Sequence, residues 1–160
     1  MDKLPDLTLV DPNGAPVRLA ALPRPLVVYF YPKDDTSGCT REAQDFSALA
    51  DDFAAAGVAL LGISKDSPKR HSNFIAKYDL KVPLASDEDG AACEAFGVWV
   101  EKSLYGRKYM GIERATFLFG KEGALVRAWR KVKVTPATAP NPMIIIAQVL
   151  GSGTVPTGGS

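Results

Sequence analysis

The residue best placed to do chemistry in this chain is Cys39, which closes the run Pro32-Lys33-Asp34-Asp35-Thr36-Ser37-Gly38-Cys39. Thr36 sets a hydroxyl three residues before the thiol, and the backbone amides of Gly38 and Cys39 can point into the same pocket. A thiol beside a hydroxyl and free amides suits attack by sulfur on an electrophile whose developing charge needs hydrogen-bond donors. Other uses of cysteine are poorly supplied. The 160 residues contain two cysteines, Cys39 and Cys93, and a single histidine, His71, too few for a disulfide framework or a structural zinc site. A Cys-x-x-Cys redox pair is missing, because Thr36 and Glu42 occupy the positions three before and three after Cys39.

Residues 26–31 form a continuous β-branched and aromatic run, Leu-Val-Val-Tyr-Phe-Tyr, of the kind found in strands buried on both faces. Over residues 40–56, Ala43, Phe46, Leu49, Ala50 and Phe53 recur at steps of three and four, and Gly57 supplies a stop, which predicts an amphipathic helix. Cys39 therefore falls at the carboxyl end of a strand and in the first turn of a helix, where ligand sites of open α/β sheets gather. Unpaired N–H groups and the positive helix pole favour an anion there, so the thiol is expected to ionise below its usual pKa of about 8.5. Ionisation alone is not enough. A free thiol is already roughly 3% thiolate at pH 7, so complete ionisation gains only about 30-fold, while nucleophilicity falls with the pKa. A fast reaction needs its transition state stabilised as well, and Arg114 is read as the cation that completes the pocket.

The other segments supply the frame. Residues 7–10 and 17–19 flank Asp11-Pro12-Asn13-Gly14 as a hairpin whose Asn-Gly pair suits positive φ angles. Residues 58–64 read as a second buried strand, and Ser67-Pro68 opens a helix with a Phe74 and Tyr78 stripe. A short strand over 82–85 and a short helix over 90–96 follow, then a hairpin of 116–119 and 124–132 around Gly120-Lys121-Glu122-Gly123. Residues 143–150 are expected to form a closing helix, although the run Ile144-Ile145-Ile146 suits a strand equally on propensity, and the glycine-rich 151–160 a disordered tail. This order predicts an α/β, thioredoxin-like three-layer sandwich with a mixed central sheet and an N-terminal β-hairpin, as one domain over residues 1–150.

Several residues carry two readings. Cys93, in Ala91-Ala92-Cys93-Glu94-Ala95-Phe96, reads as a small core-facing side chain, yet it is the one internal candidate for a thiol that resolves an oxidised Cys39. His71 lies near Lys69 and Arg70 and is expected at the surface; as the base of a cysteine hydrolase it has no further support. Asp87-Glu88-Asp89-Gly90 lacks the ligand alternation of an EF-hand and reads as acids at a helix start. Trp99, Tyr105, Tyr109 and Met110 flank a glycine-containing loop as pocket wall, partner surface or core filler. The formal charge of +1 offers no field for nucleic acid. The longest apolar stretch, residues 26–31, is far short of the roughly 20 residues that span a bilayer. Residues 1–6 show neither an apolar h-region nor a cleavage site, so a cytoplasmic address is expected.

The segment Phe30-Tyr31-Pro32-Lys33-Asp34-Asp35-Thr36-Ser37-Gly38-Cys39-Thr40-Arg41-Glu42, with its Pro-x-x-x-Thr-x-x-Cys core, resembles the peroxiredoxins, and most of all their bacterioferritin comigratory protein, or Q-type, subfamily. The similarity continues through Gly62-Ile63-Ser64-Lys65-Asp66-Ser67, Phe96-Gly97-Val98-Trp99 and Arg114-Ala115-Thr116-Phe117, covering residues 4–134. The resemblance implies a thiol peroxidase that needs no metal, haem or flavin. In it the Cys39 thiolate would attack hydrogen peroxide or an organic hydroperoxide and become a sulfenic acid. Thr36 would hydrogen-bond the peroxide, Arg114 would stabilise thiolate and developing charge, Pro32 would shield the pocket, and Glu42 would orient the arginine. Many members carry a resolving cysteine five residues after the peroxidatic one, and others on the next helix. Here those positions hold Gln44 and, approximately, Ile75, and Ser37 replaces a frequent proline. The resemblance thus implies a one-cysteine cycle with an external thiol reductant (thioredoxin, glutaredoxin or a small thiol) in a monomer or weak dimer. A thioredoxin-fold redox sensor or binding module that does not turn over is the alternative.

Overall fold

The computed structural model describes residues 2–130. The predicted closing helix over 143–150 and tail over 151–160 lie outside the described residues, as do the last two residues of the strand expected over 124–132. The chain begins with a hairpin of β1 (Thr8–Val10) and β2 (Pro16–Arg18). Of its expected Asn-Gly pair, only Gly14 takes positive φ, at 86°; the Asp11 carboxylate accepts from the amides of Asn13 and Ala15 and closes the turn instead.

The central strand is β3 (Leu26–Phe30), buried at all five positions. It runs parallel to β4 (Ala59–Ser64), with Tyr29 opposite Gly62 and Phe30 opposite Ile63. It runs antiparallel to β8 (Ala115–Phe119), which turns back into β9 (Leu125–Trp129). With β5 (Leu84–Ser86) parallel to β4, the seven-stranded mixed sheet has the order β2-β1-β5-β4-β3-β8-β9. Among the described residues, four α-helices cover it: α1 (Ser37–Ala48), α2 (Ala50–Ala55), α3 (Pro68–Tyr78) and α4 (Ala91–Ala95). No helix among the described residues is long and apolar enough to cross a membrane.

Alternation along β3 decides what each face holds. Leu26, Val28 and Phe30 pack with Ala92, Cys93 and Phe96 at α4, whereas Val27, Tyr29 and Tyr31 pack with Cys39, Ala43 and Phe46 of α1, Phe53 of α2 and Phe74 of α3. The sheet therefore stands between the two cysteines. Gly62 matters to the Cys39 side, because a Cβ there would lie 2.6 Å from the Tyr29 ring. Its bare backbone lets that ring lie down and stack on Phe46, with centroids 4.5 Å apart.

Three expectations need correction. The helix predicted over 40–56 starts at Ser37 and breaks at Leu49 into α1 and α2. At the break, the Ser47 hydroxyl accepts from the amides of Lys81 and Val82, a tertiary tie that periodicity could not reveal. The segment read as a glycine-containing loop is a two-stranded ribbon, β6 (Trp99–Leu104) and β7 (Arg107–Ile112), turning at Tyr105 and Gly106, both with positive φ. Leu104, Tyr105, Tyr109 and Met110 on it are exposed, whereas Trp99 packs against the core and Ile112 is buried in it. His71 is not at the surface: it is fully buried. Its polar ring is tolerated there because both nitrogens find partners, described below.

Candidate active site

Burial of β3 ends with Tyr31, and the chain leaves the sheet through exposed Pro32 and Lys33, buried Asp34, and exposed Asp35 and Thr36. Thr36 is the N-cap of α1, with φ −91° and ψ 156°, but its hydroxyl makes no capping bond and donates to the Lys33 carbonyl at 3.1 Å. The first-turn amides of α1, including those of Gly38 and Cys39, have no intrahelical acceptor and remain available to an incoming anion or oxygen. Cys39 lies in that turn, 1% exposed.

Arg114 arrives from the other side of β3, one residue before β8. Antiparallel pairing of Phe30 with Ala115 carries it to the end of β3 from which α1 departs. Its Nη2 donates to Cys39 Sγ at 3.2 Å and its Nη1 to Glu42 Oε1 at 2.6 Å, so one planar guanidinium bridges sulfur and carboxylate. Glu42 is reached because it stands three residues after Cys39 on α1, on the same helix face. Burial pushes the Glu42 carboxyl up to about 7, against the pull of Arg114. Burial also opposes the charge of Arg114, but Glu42 and Cys39 outweigh it and hold the guanidinium above its ordinary value. These contacts bring together Cys39, Glu42 and Arg114; Thr36, Gly38 and Pro32 lie on the segment leading into that turn.

Lys102 was not singled out in the sequence. It sits half-buried on β6, where burial first and the Arg114 charge second lower its ammonium pKa, with Cys39 acting in the opposite sense. No residue pattern marks it; only the ribbon register, which pairs it with Tyr109, brings a second cation toward the site. Cys93 is fully buried, and burial first, then its contact with Asp87, raises its thiol far above the ordinary range. The acids before α4 cap that helix: Asp87 accepts from the amides of Ala92 and Cys93, and Asp89 from that of Ala91.

His71 Nδ1 lies 2.6 Å from Asp34 Oδ2 and its Nε2 3.0 Å from the Ala85 carbonyl. With both nitrogens engaged, the ring is not the base of a thiol–imidazole dyad. Asp34, Asp66 and His71 bring potential metal-ligand atoms within 4.8 Å of one another. Tyr31, Ser64, Arg70 and the Asp34 amide, however, already donate to these carboxylates, which marks a closed hydrogen-bond network.

The raised Glu42 pKa has a measurable consequence. A carboxyl that titrates near 7 when folded and near 4.5 when unfolded stabilises the fold in full below about pH 4.5 and loses that contribution as the pH rises through 7. The size is on the order of 3 kcal/mol. Urea midpoints of the wild type are expected to fall between pH 5 and pH 8, and Glu42→Gln to flatten that slope. An equal slope in both proteins would show that Glu42 is not its source.

The AhpC/TSA family model matches residues 1–128. Among curated proteins, the chain is 57% identical to peroxiredoxin Bcp of Xanthomonas campestris over 109 residues, covering 68% of each chain. It is 46% identical to peroxiredoxin Bcp of Bacillus subtilis over 133 residues, covering 82% of this chain and 85% of the relative. A solved structure of the Xanthomonas campestris bacterioferritin comigratory protein, studied for its alkyl peroxide reduction activity, superposes with a TM-score of 0.80 at 47% identity, covering 89% of this chain and 90% of the other.

Proposed function

Because the chain belongs to the AhpC/TSA family and, within it, to the Bcp/PrxQ peroxiredoxins, and is thus a thiol peroxidase, we propose that it reduces hydrogen peroxide and organic hydroperoxides by a one-cysteine cycle centred on Cys39. The observation that carries this reading is the Arg114 fork, one arm on Cys39 Sγ at 3.2 Å and the other on Glu42 at 2.6 Å. The Cys39 thiolate attacks the terminal peroxide oxygen, the O–O bond breaks, and the departing alkoxide or hydroxide takes a proton and leaves as alcohol or water. Sulfur retains the transferred oxygen as a sulfenic acid. Arg114 and the α1 amides stabilise the charge spread over sulfur and the two oxygens, and the Thr36 hydroxyl orients the peroxide. Pro32, at the mouth of the turn, limits water at the reacting sulfur.

An external thiol then attacks the sulfenic sulfur, releasing water and leaving a mixed disulfide; a second thiol reduces that bond and restores Cys39. What supports this over an internal disulfide is the position of Cys93. It packs against the opposite face of the sheet from Cys39, and bridging requires Cα atoms within about 7 Å. Thioredoxin, glutaredoxin and a small thiol all suit the second half-reaction. Dependence on such a donor fits a reducing cytoplasm, and the protein is taken to act as a monomer or weak dimer.

Intact mass after one equivalent of peroxide, with a sulfenic-acid trap, tests the cycle. A trapped adduct on Cys39 with Cys93 free is expected, and Cys93→Ser is expected to keep wild-type turnover with dithiothreitol. Loss of two hydrogens without trapping would identify an internal bond and end the one-cysteine reading. A protein that stops after one equivalent despite excess thiol would be a sensor.

A further inference from the structure

The turn that carries Thr36 and Cys39 is tied to α3 by a buried clasp that the reaction chemistry does not itself require. Asp34, 3% exposed, is held at three atoms. Its Oδ1 accepts from the Tyr31 hydroxyl at 2.5 Å, its Oδ2 meets His71 Nδ1 at 2.6 Å, and its amide donates to Asp66 Oδ2 at 2.8 Å. His71 is anchored in turn to the Ala85 carbonyl on β5, so its ring joins the active-site turn to the sheet. Asp66, which also accepts from Ser64 and Arg70, secures the amide from the end of β4. A second, exposed tie runs alongside: Asp35 accepts from Lys77 at 2.8 Å and from the Tyr78 hydroxyl at 2.6 Å.

Asp34 stands two residues before Thr36 and five before Cys39, so any drift of its carboxylate moves the N-cap of α1 and the first-turn amides with it. Arg114, by contrast, is fixed from β8 and would not follow. The alignment of hydroxyl, sulfur and guanidinium thus depends on a side chain that touches none of them. Solvent cannot loosen a fully buried, saturated network as it can an exposed ion pair, which makes the Asp34 clasp the stiffer of the two ties.

We propose that His71 and Asp34 are positioning residues for the peroxide reaction: the buried His71–Asp34 contact, backed by Tyr31, holds the turn of residues 32–36 in the register that aims Thr36 and Cys39 at the oxygen Arg114 receives. This rests on the peroxidase reading above and adds two residues with no contact to the reacting atoms.

The test compares two reactions of the same sulfur. Oxidation by peroxide needs Thr36, Cys39 and Arg114 aligned, whereas alkylation of Cys39 by iodoacetamide needs only an accessible thiolate, so both constants are compared at a pH where the thiol is fully ionised in every variant. In His71→Asn, which cannot reach both Asp34 and Ala85, the second-order constant for peroxide is expected to fall at least about tenfold, the scale set by small misplacements of reacting groups. The alkylation constant is expected to hold or rise. Asp35→Asn, which weakens only the exposed tie, is expected to match the wild type in both. If His71→Asn does not unfold cooperatively, Tyr31→Phe carries the test, because it removes one donor to Asp34 and keeps the ring; a peroxide constant lowered by about threefold or more with alkylation retained supports the proposal. A wild-type peroxide constant in a folded variant overturns it, as does a parallel fall of both constants or an equal loss in Asp35→Asn. Failure of the wild type itself to consume peroxide would instead remove the underlying peroxidase reading.

Discussion

Replacing Cys39 by serine is expected to abolish peroxide consumption, to below about one-thousandth of the wild-type rate, while leaving the thermal midpoint within a few degrees. The first half follows from the chemistry of the leaving step. A serine hydroxyl is almost wholly un-ionised at neutral pH, and its oxygen cannot accept a second oxygen to form a stable product that a thiol then reduces. No other residue can substitute, since Cys93 is buried behind the sheet with its thiol held protonated. The second half follows from packing. Serine is nearly isosteric with cysteine, the site lies in the first turn of α1, and a hydroxyl can accept from Arg114 Nη2 as the sulfur does. Peroxide consumption in a dithiothreitol-coupled assay, together with calorimetry, measures both. Full activity in Cys39→Ser would move the chemistry to another residue.

Much of that site could be read before any coordinates. The β-branched run of residues 26–31 forces a buried strand, and the Thr36 to Cys39 spacing places the thiol in the first turn of a helix, because both depend on local periodicity and turn chemistry. The approach of Arg114 was legible only as a needed cation, since its arrival depends on the β3–β8 register, a pairing between segments more than 80 residues apart. His71 failed for the same reason. Beside Lys69 and Arg70 it looks like part of a charged surface, and nothing local announces that Asp34 and Ala85 wait on the buried side of α3. The β6–β7 ribbon escaped because its turn uses Tyr105 in the left-handed region, where a tyrosine is not expected. Lys102 was lost with it.

Removing the Arg114 guanidinium is the second large effect, and its two consequences can be separated. Arg114→Met is expected to lower the second-order constant for peroxide by about 10³-fold, roughly 4 kcal/mol of transition-state stabilisation. Arg114→Lys is expected to lose about 10²-fold despite keeping the charge, because one ammonium cannot meet sulfur and carboxylate in the geometry that the two arms span at 3.2 and 2.6 Å. Stability suffers independently. Without Arg114 the buried Glu42 loses the one group that pulls its carboxyl pKa down, so burial and the Asp45 charge act on it unopposed and the carboxyl stays neutral further into the alkaline range. A charge forced there would have no partner, and breaking a buried pair costs about 3–5 kcal/mol. At an alkaline pH where Glu42 is forced to ionise, adding Glu42→Gln to Arg114→Met removes that stranded charge, so the double variant is expected to recover most of the lost thermal midpoint there and none of the lost rate. Stopped-flow oxidation and calorimetry on the four proteins of the cycle read the two quantities separately. A double variant that regained activity along with stability would make Arg114 a structural partner of Glu42 alone, and an Arg114→Met rate within threefold of the wild type would remove the guanidinium from the chemistry of Cys39.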